Sequence, residues 1–389
     1  MNNIKVSKRI SLLPPYIFEK LEQMKKEYTQ NHDDVIDLGV GDPDFPTQEN
    51  IVNAMKRELD NPENHRYPSF RGERELREKI SWWYKYNFDV ELDIDKEVLV
   101  LLGSKEGIAH LPMAILDDGD YALVPDPGYP AYLNSIILAG GIPYAMPLKR
   151  ENKYFPVMDE LPKEVVEKTK LMFLNYPNNP TSAVADKESF HKVINFAEKH
   201  EIIVCHDFAY SQITFNSNKP VSFLSVEGSK NVGVEFHSFS KTFAMTGWRL
   251  GFVVGNSEII AALAKLKSCV DSGVFKAVQF AGIQGLTGPT DTLEMMKKEY
   301  MVRRDILANG LKRLGWDFEV PDATYYFWVK IPEKYKMDSI GFSEYLIKEK
   351  GIIVTPGIGF GQMGEGYIRI AINLPVHQIK EAIKRLEQL

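Results

Sequence analysis

The sequence predicts an α/β fold: a mostly parallel sheet with helices on both faces, followed by a smaller α+β unit. Three observations carry this reading. Between about residues 48 and 280, short apolar runs alternate with amphipathic stretches of helical period. The runs are nearly continuous in apolar residues, as strands covered on both faces are. Beyond about residue 290 the alternation breaks, and strands and helices mix.

Taken in order, residues 1–45 read as an arm carrying one helix near 16–29. Helix cannot start in Leu12-Leu13-Pro14-Pro15, because a residue before proline is pushed toward extended geometry. The strand candidates are Val98–Leu102, Tyr121–Val124, Pro143–Met146, Leu171–Asn175, Ile202–Asp207, Val232–Ser238 and Gly251–Val254. Helical periodicity lies between them, at 105–116, 130–139 and 187–200 for example. The last two strands follow each other without room for a crossover helix, so one is expected to be antiparallel. A long helix near 290–314 leads to strands around 325–331, 352–355 and 366–372, with helices near 340–349 and 376–388. The expected division is an arm over 1–45 packed beside the small unit, a large unit over 46–285 and a small α+β unit over 286–389.

Composition narrows the function. The chain of 389 residues has 47 basic and 53 acidic side chains, net −6, with no basic stripe to suggest nucleic acid. Two cysteines, Cys205 and Cys269, rule out a disulfide framework and fit a reducing, cytoplasmic setting. No apolar run approaches a membrane span, and the N-terminus lacks the apolar core of a secretory signal.

The most informative stretch is HSFSKTFAMTGWRLG, which places Ser238 and Ser240 around Lys241, and Arg249 eight residues beyond. A lysine can form a Schiff base with an aldehyde. An arginine can grip a phosphate with its planar fork. Together they suggest pyridoxal 5'-phosphate, joined to Lys241 and held by Ser238 and Arg249. Other polar signals also fall just after predicted strands, where ligands sit in such sheets. Gly103-Ser104-Lys105 opens a helix whose N–H groups suit a phosphate, or forms a plain cap. Asp207 can pair with a protonated ring nitrogen, and Tyr210 can donate to a ring oxygen. Cys205-His206-Asp207 cannot gather on one metal ion, because successive strand side chains face opposite ways. Asn179, in a proline-rich turn, presents an amide toward the ring oxygen and a substrate carboxylate. Tyr129 can stack on a flat ring or pack in the core. Arg369, polar on an apolar strand, needs a substrate carboxylate or an internal partner. Gly359 to Gly364 matches G-x-G-x-x-G, but a strand follows it rather than a helix, so no dinucleotide site is expected.

Taken in this order, these residues resemble the class I pyridoxal-phosphate aminotransferases of the aspartate aminotransferase fold type, over essentially the whole chain. The resemblance implies fold type I, with a mainly parallel seven-stranded large domain. It implies Lys241 as the cofactor-binding lysine, with Asp207 and Tyr210 as its catalytic companions. It implies a phosphate grip from Gly103, Ser104, Lys105, Ser238, Ser240 and Arg249, with Tyr129 stacking on the ring. Gly41, Asn179 and Arg369 would meet the substrate carboxylate. Tyr67, in RYPSFRG, would reach the phosphate in a neighbouring subunit, which implies a homodimer with shared active sites. The stretches SLLPPYIFEKLE, LLGSKEGIAHLP and VTPGIGFG look most like LL-diaminopimelate aminotransferases. The expected substrates are an L-amino acid and a 2-oxo acid such as 2-oxoglutarate. Aspartate, alanine or aromatic donors, or a C–S lyase on the same cofactor, are the alternatives. One departure stands out: no arginine occurs between Leu250 and Met301 to hold a distal carboxylate, and Lys276 is the nearest cation.

Overall fold

The computed structural model describes residues 5–15, 17–32, 34–215 and 220–389. A seven-stranded sheet is built from β2 (Val98–Leu101), β3 (Tyr121–Asp126), β4 (Ile142–Pro147), β5 (Thr169–Asn175), β6 (Ile203–Asp207), β7 (Gly233–Ser238) and β8 (Gly251–Gly255). Their spatial order is β2-β8-β7-β6-β5-β3-β4. All neighbours are parallel except β8, which runs antiparallel to both β2 and β7. The exception has the cause expected from the sequence: only short turns separate β7 from β8, too few residues for a crossover.

Alternation along each strand feeds two separate cores. In β5, Leu171 and Phe173 join one core, and Met172 and Leu174 the other. Helices Ser104–Ile115, Ala131–Ala139 and Ser257–Val270 cover the first face. Glu49–Leu59, Arg74–Phe88, Lys187–His200 and Lys276–Thr287 cover the second. Each fully buried aliphatic side chain contributes roughly 1.5–3 kcal/mol to this packing.

A third core forms at the C-terminal end. Strands β9 (Asp317–Phe318), β10 (Tyr326–Lys330), β12 (Thr355–Pro356) and β13 (Tyr367–Ala371) make an antiparallel sheet in the order β12-β13-β10-β9. Helices Asp291–Arg313, Ser339–Lys350 and Val376–Leu386 pack on it. The N-terminal segment serves both regions. Its strand β1 (Ile36–Asp37) pairs in parallel with β11 (Ile352–Ile353), and the helix Ile17–Thr29 sets Leu21 against Ile347 and Ile353. Residue 16, where that helix was expected to begin, lies outside the described residues. A five-residue helix, Lys8–Leu12, was not foreseen: Ser7 caps it, and Arg9 reaches Asp118 beside the large sheet. It stops where the prolines require, with Leu13 extended.

Within the core on the second face sits a charged group, Glu235 of β7, fully buried. Tyr84 and Ser222 hydroxyls donate to Oε1 at 2.7 Å, and the Phe223 N–H donates to Oε2 at 2.7 Å. His206 completes the set from β6: its Nε2 accepts the Tyr176 N–H, so Nδ1 carries the proton and donates to Oε2 at 2.7 Å. Burial alone raises the Glu235 pKa, but the hydrogen bonds from His206 and His237 outweigh it and hold the carboxyl well below its ordinary value. A depressed carboxylate contributes stability above the unfolded value of about 4.3 and loses it as pH falls through the folded value. Glu235→Gln is therefore expected to cost about 3 kcal/mol in urea unfolding at pH 7. The difference from wild type should shrink below about pH 4; a gap that stays constant with pH would show that the charge is not what stabilises.

Candidate active site

Carboxyl ends of the parallel strands open on a cavity of about 440 Å³. Lys241 stands on the helical turn Phe239–Thr242, directly after β7, where Ser238 caps the turn by accepting the Ser240 N–H at 3.2 Å. Its Nζ donates to the Gly41 carbonyl at 2.7 Å. Burial pushes the Lys241 pKa down, while Tyr326 and Asp42 nearby act against that. The amine is thus closer to its free-base form than a surface lysine.

Asp207 ends β6. Its carboxylate accepts from the Tyr132 hydroxyl at 2.8 Å and from the Ala209 N–H at 3.2 Å. Burial pushes its pKa up, and those two hydrogen bonds and the charge of Lys241 pull against it. Asn175, opposite Asp207 in the β5–β6 register, donates to the Asp207 carbonyl at 2.8 Å and accepts the Asn179 N–H at 2.8 Å. The turn bearing Asn179 is therefore fixed to the strand that bears Asp207.

Arg369 enters from β13 and is 2% exposed. Nη1 donates to Asn179 Oδ1 at 2.8 Å, and Nη2 donates to the Gly39 carbonyl at 2.8 Å and to Thr355 Oγ1 at 3.4 Å. The guanidinium also lies 4.1 Å from the centre of the Tyr326 ring and 4.8 Å from that of Phe360. Tyr210 reaches the same place, its hydroxyl 2.8 Å from that of Tyr326.

Another group of lining residues is basic and hydroxylic: Ser104, Lys105, Ser238, Ser240, Thr246 and Arg249. Gly103 has φ +80°, and a Cβ there would fall 2.5 Å from Arg249 Nη2. Glycine thus admits the guanidinium beside the N-terminus of the helix Ser104–Ile115. Arg249 itself has φ 55°, a left-handed conformation rare for its type, and donates from Nη1 to the Thr246 carbonyl at 2.9 Å. Desolvation and then the charge of Arg249 push the Lys105 pKa down. Two cations and a helix N-terminus form a place for a multiply charged anion. Lys105 Nζ also lies 5.9 Å over the Tyr129 ring, which meets Tyr132 edge-on at 5.7 Å. The donor set fits a phosphorylated aromatic aldehyde: an anion cradle, a flat tyrosine, a desolvated carboxylate and an amine of lowered basicity.

Two residues stand elsewhere. Tyr67 is 87% exposed and does not line this cavity. Lys276 donates to the Glu63 carbonyl at 3.2 Å and does not line it either. The glycine motif at 359–364 forms two short turns before β13, and there the Met363 N–H donates to Asp126 Oδ1 at 3.0 Å. Sequence reasoning missed Tyr326, Tyr132, Asn175, Asp42 and Thr246, all of which line the cavity. Tyr132 had a signal, being three residues beyond Tyr129 at the start of one helix. Tyr326 had only the general rule that a tyrosine in an apolar strand needs a partner for its hydroxyl.

Comparison with known proteins identifies the family. The profile of the family described as "Aminotransferase class I and II" matches residues 33–386. The LL-diaminopimelate aminotransferase of Halothermothrix orenii is 49% identical over 379 residues, 97% of each chain. That of Aquifex aeolicus is 48% identical over 98% of each chain. Among solved structures, substrate-bound BacF from Bacillus subtilis superposes with a TM-score of 0.94 at 41% identity, over 99% of this chain and 98% of that one. A double mutant of the Thermus thermophilus aspartate aminotransferase gives 0.93 at 26% identity, over 99% of both chains. With half of its residues shared along nearly the whole length and the family's profile spanning almost all of it, the chain belongs to the class I and II aminotransferases.

Proposed function

We propose that this aminotransferase holds pyridoxal 5'-phosphate at Lys241, takes LL-diaminopimelate as amino donor and passes the amino group to 2-oxoglutarate. The observation that carries the reading is the convergence of Lys241, Asp207 and Arg369 on one cavity from three separate strand ends or strands. The donor is supported by five relatives, 47–49% identical, that all bear the name LL-diaminopimelate aminotransferase. The chain also has no arginine between Leu250 and Met301, while Asp42 lines the cavity. A carboxylate in the lining suits a donor with a distal ammonium better than a second carboxylate alone.

When bound, the cofactor supplies an aldehyde that condenses with amines and a cationic ring that draws electrons from the substrate Cα. Ser104, Lys105, Ser238, Ser240 and Arg249, with the close approach at Gly103, hold the phosphate. Tyr129 would cover a ring face, and Asp207 would keep a proton on the ring nitrogen. Tyr210 and Asn179 would serve the ring oxygen. Arg369, with Asn179 and the backbone of Gly41, orients the substrate carboxylate. Lys241 Nζ would accept and return the Cα proton, a role suited to an amine of lowered basicity.

The proposed assembly is a cytoplasmic homodimer in which Tyr67 serves the neighbouring site. Its exposure supports this, as does that of Phe70 and Phe275. The proposed division is an arm over 1–45, a large unit over 46–285 and a small unit over 286–389. The separate cores support it, while Lys8–Leu12 and Ile17–Thr29 attach the arm to both units.

Three measurements test the reading. Lys241→Ala is expected to retain cofactor without a covalent bond and to lose about 10²–10⁴-fold in turnover; near-normal turnover would remove Lys241 from the proton transfer. Asp207→Ala should cost about 3–4 kcal/mol of transition-state stabilisation, read as a 10²–10³-fold fall in kcat, and a full rate would refute the ring-nitrogen role. In single-turnover mixing, LL-diaminopimelate should bleach the cofactor's visible band faster than aspartate, alanine or an aromatic amino acid. Equal bleaching by another donor would reassign the substrate.

A further inference from the structure

We propose that Tyr326 is a positioning residue for the reaction: its hydroxyl sets the direction of the Tyr210 proton, and its ring braces the Arg369 guanidinium. The inference rests on the functional reading above, in which Tyr210 faces the cofactor's ring oxygen and Arg369 the substrate carboxylate.

Tyr326 belongs to β10, in the C-terminal core, yet it lines the cavity and is 1% exposed. Its backbone is pinned on both sides: its N–H donates to Thr324 Oγ1 at 3.1 Å, and its carbonyl accepts from the Ser182 hydroxyl at 2.8 Å. The side chain is held as well. A Cβ on Gly41 would lie 2.1 Å from the Tyr326 hydroxyl oxygen, so a glycine is required opposite it. The same Gly41 presents its carbonyl to Lys241. Tyr326 thus packs against the segment that receives the reactive amine.

Tyr210 and Tyr326 lie 2.8 Å apart, and each hydroxyl has a single proton. If the Tyr210 proton points at a ligand, the bond between the two tyrosines must be donated by Tyr326. A donor that is itself an acceptor in such a chain is polarised and donates more strongly. Asp207, Lys241 and Arg369 surround this pair, with Tyr325 and Tyr300 behind it. The ring argument is independent of the proton. The Arg369 guanidinium carbon lies 4.1 Å from the Tyr326 ring centre in a buried setting, where cation–π attraction is strongest.

The two halves separate by mutation in the holoenzyme. Tyr326→Phe keeps the ring and removes the hydroxyl. It should leave KM for the donor and Kd for succinate within about twofold. It should raise the pH midpoint of the bound cofactor's visible absorption by about half a unit, because a donor that favours the ionised ring oxygen is weakened. In Tyr210→Phe the added Tyr326→Phe change should move that midpoint no further, as expected of coupled residues. Tyr326→Leu removes the ring as well and should weaken succinate about tenfold. Retained cofactor and an unchanged melting profile verify folding, and if the Leu variant does not fold, Tyr326→Met, an adaptable side chain without a ring, takes its place for the ring half. In a wild type that transaminates, a Tyr326→Phe midpoint that stays put, or a Tyr326→Leu affinity that does, overturns the corresponding half and leaves the functional reading intact. A wild type that binds no cofactor overturns both together.

Discussion

The carbonyls of Gly39, Val40, Gly41 and Asp42 hold the molecule's two regions to one geometry. The segment leaves β1 without a strand partner of its own, and its polar backbone still has to be satisfied. Side chains do this. Arg369 and Thr355 donate to Gly39, Asn373 to Val40 and Asp42, and Lys241 and Tyr325 to Gly41. The lysine of the large sheet and the arginine of the C-terminal sheet are therefore fixed through one four-residue stretch. Arg303 reinforces it from the long helix, donating to the Asp44 carboxylate at 2.8 and 2.9 Å.

Burial organises the charges differently on the two faces of the sheet. On one face Asp207 keeps few partners, and desolvation raises its pKa, which makes it receptive to a cation. On the other, Glu235 is surrounded by donors and stays ionised. Adjacent residues of β6 serve both: His206 turns to Glu235, and Asp207 to Tyr132 and the cavity. One strand thus supports a buried histidine–carboxylate hydrogen bond on one face and a cavity-lining carboxylate on the other, separated by the thickness of the sheet. The left-handed Arg249 and the positive φ of Gly103 put backbone of uncommon conformation where an anion would be gripped.

The glycine motif near the C-terminus shows how local pattern and tertiary use diverge. Its spacing matches a nucleotide signature, but its N–H groups face the carboxylate of Asp126, and its Phe360 carbonyl accepts the Gly128 N–H at 2.7 Å. The turn ties the end of β3, which leads to Tyr129, to the strand carrying Arg369. A residue's neighbours in sequence identify a turn; only its neighbours in space assign its work.

By itself the sequence determined the seven strands of the main sheet, an antiparallel member among the last two, and many of the residues that line the cavity. Those features are local: apolar runs bounded by turn residues, and polar groups placed immediately after them, as at Asp207, Asn179 and Lys241. Tertiary structure alone decided which of those residues meet. Arg369 reaches Asn179 across 190 positions of chain, and Tyr326 reaches Tyr210 across 116. No periodicity records such pairs, because they depend on how two cores dock. The short helix Lys8–Leu12 escaped for the same reason, since five residues are too few for a helical pattern and its ion pair with Asp118 is distant in sequence. Only the fold turns the hydroxyls of Tyr326 and Tyr132 toward Tyr210 and Asp207.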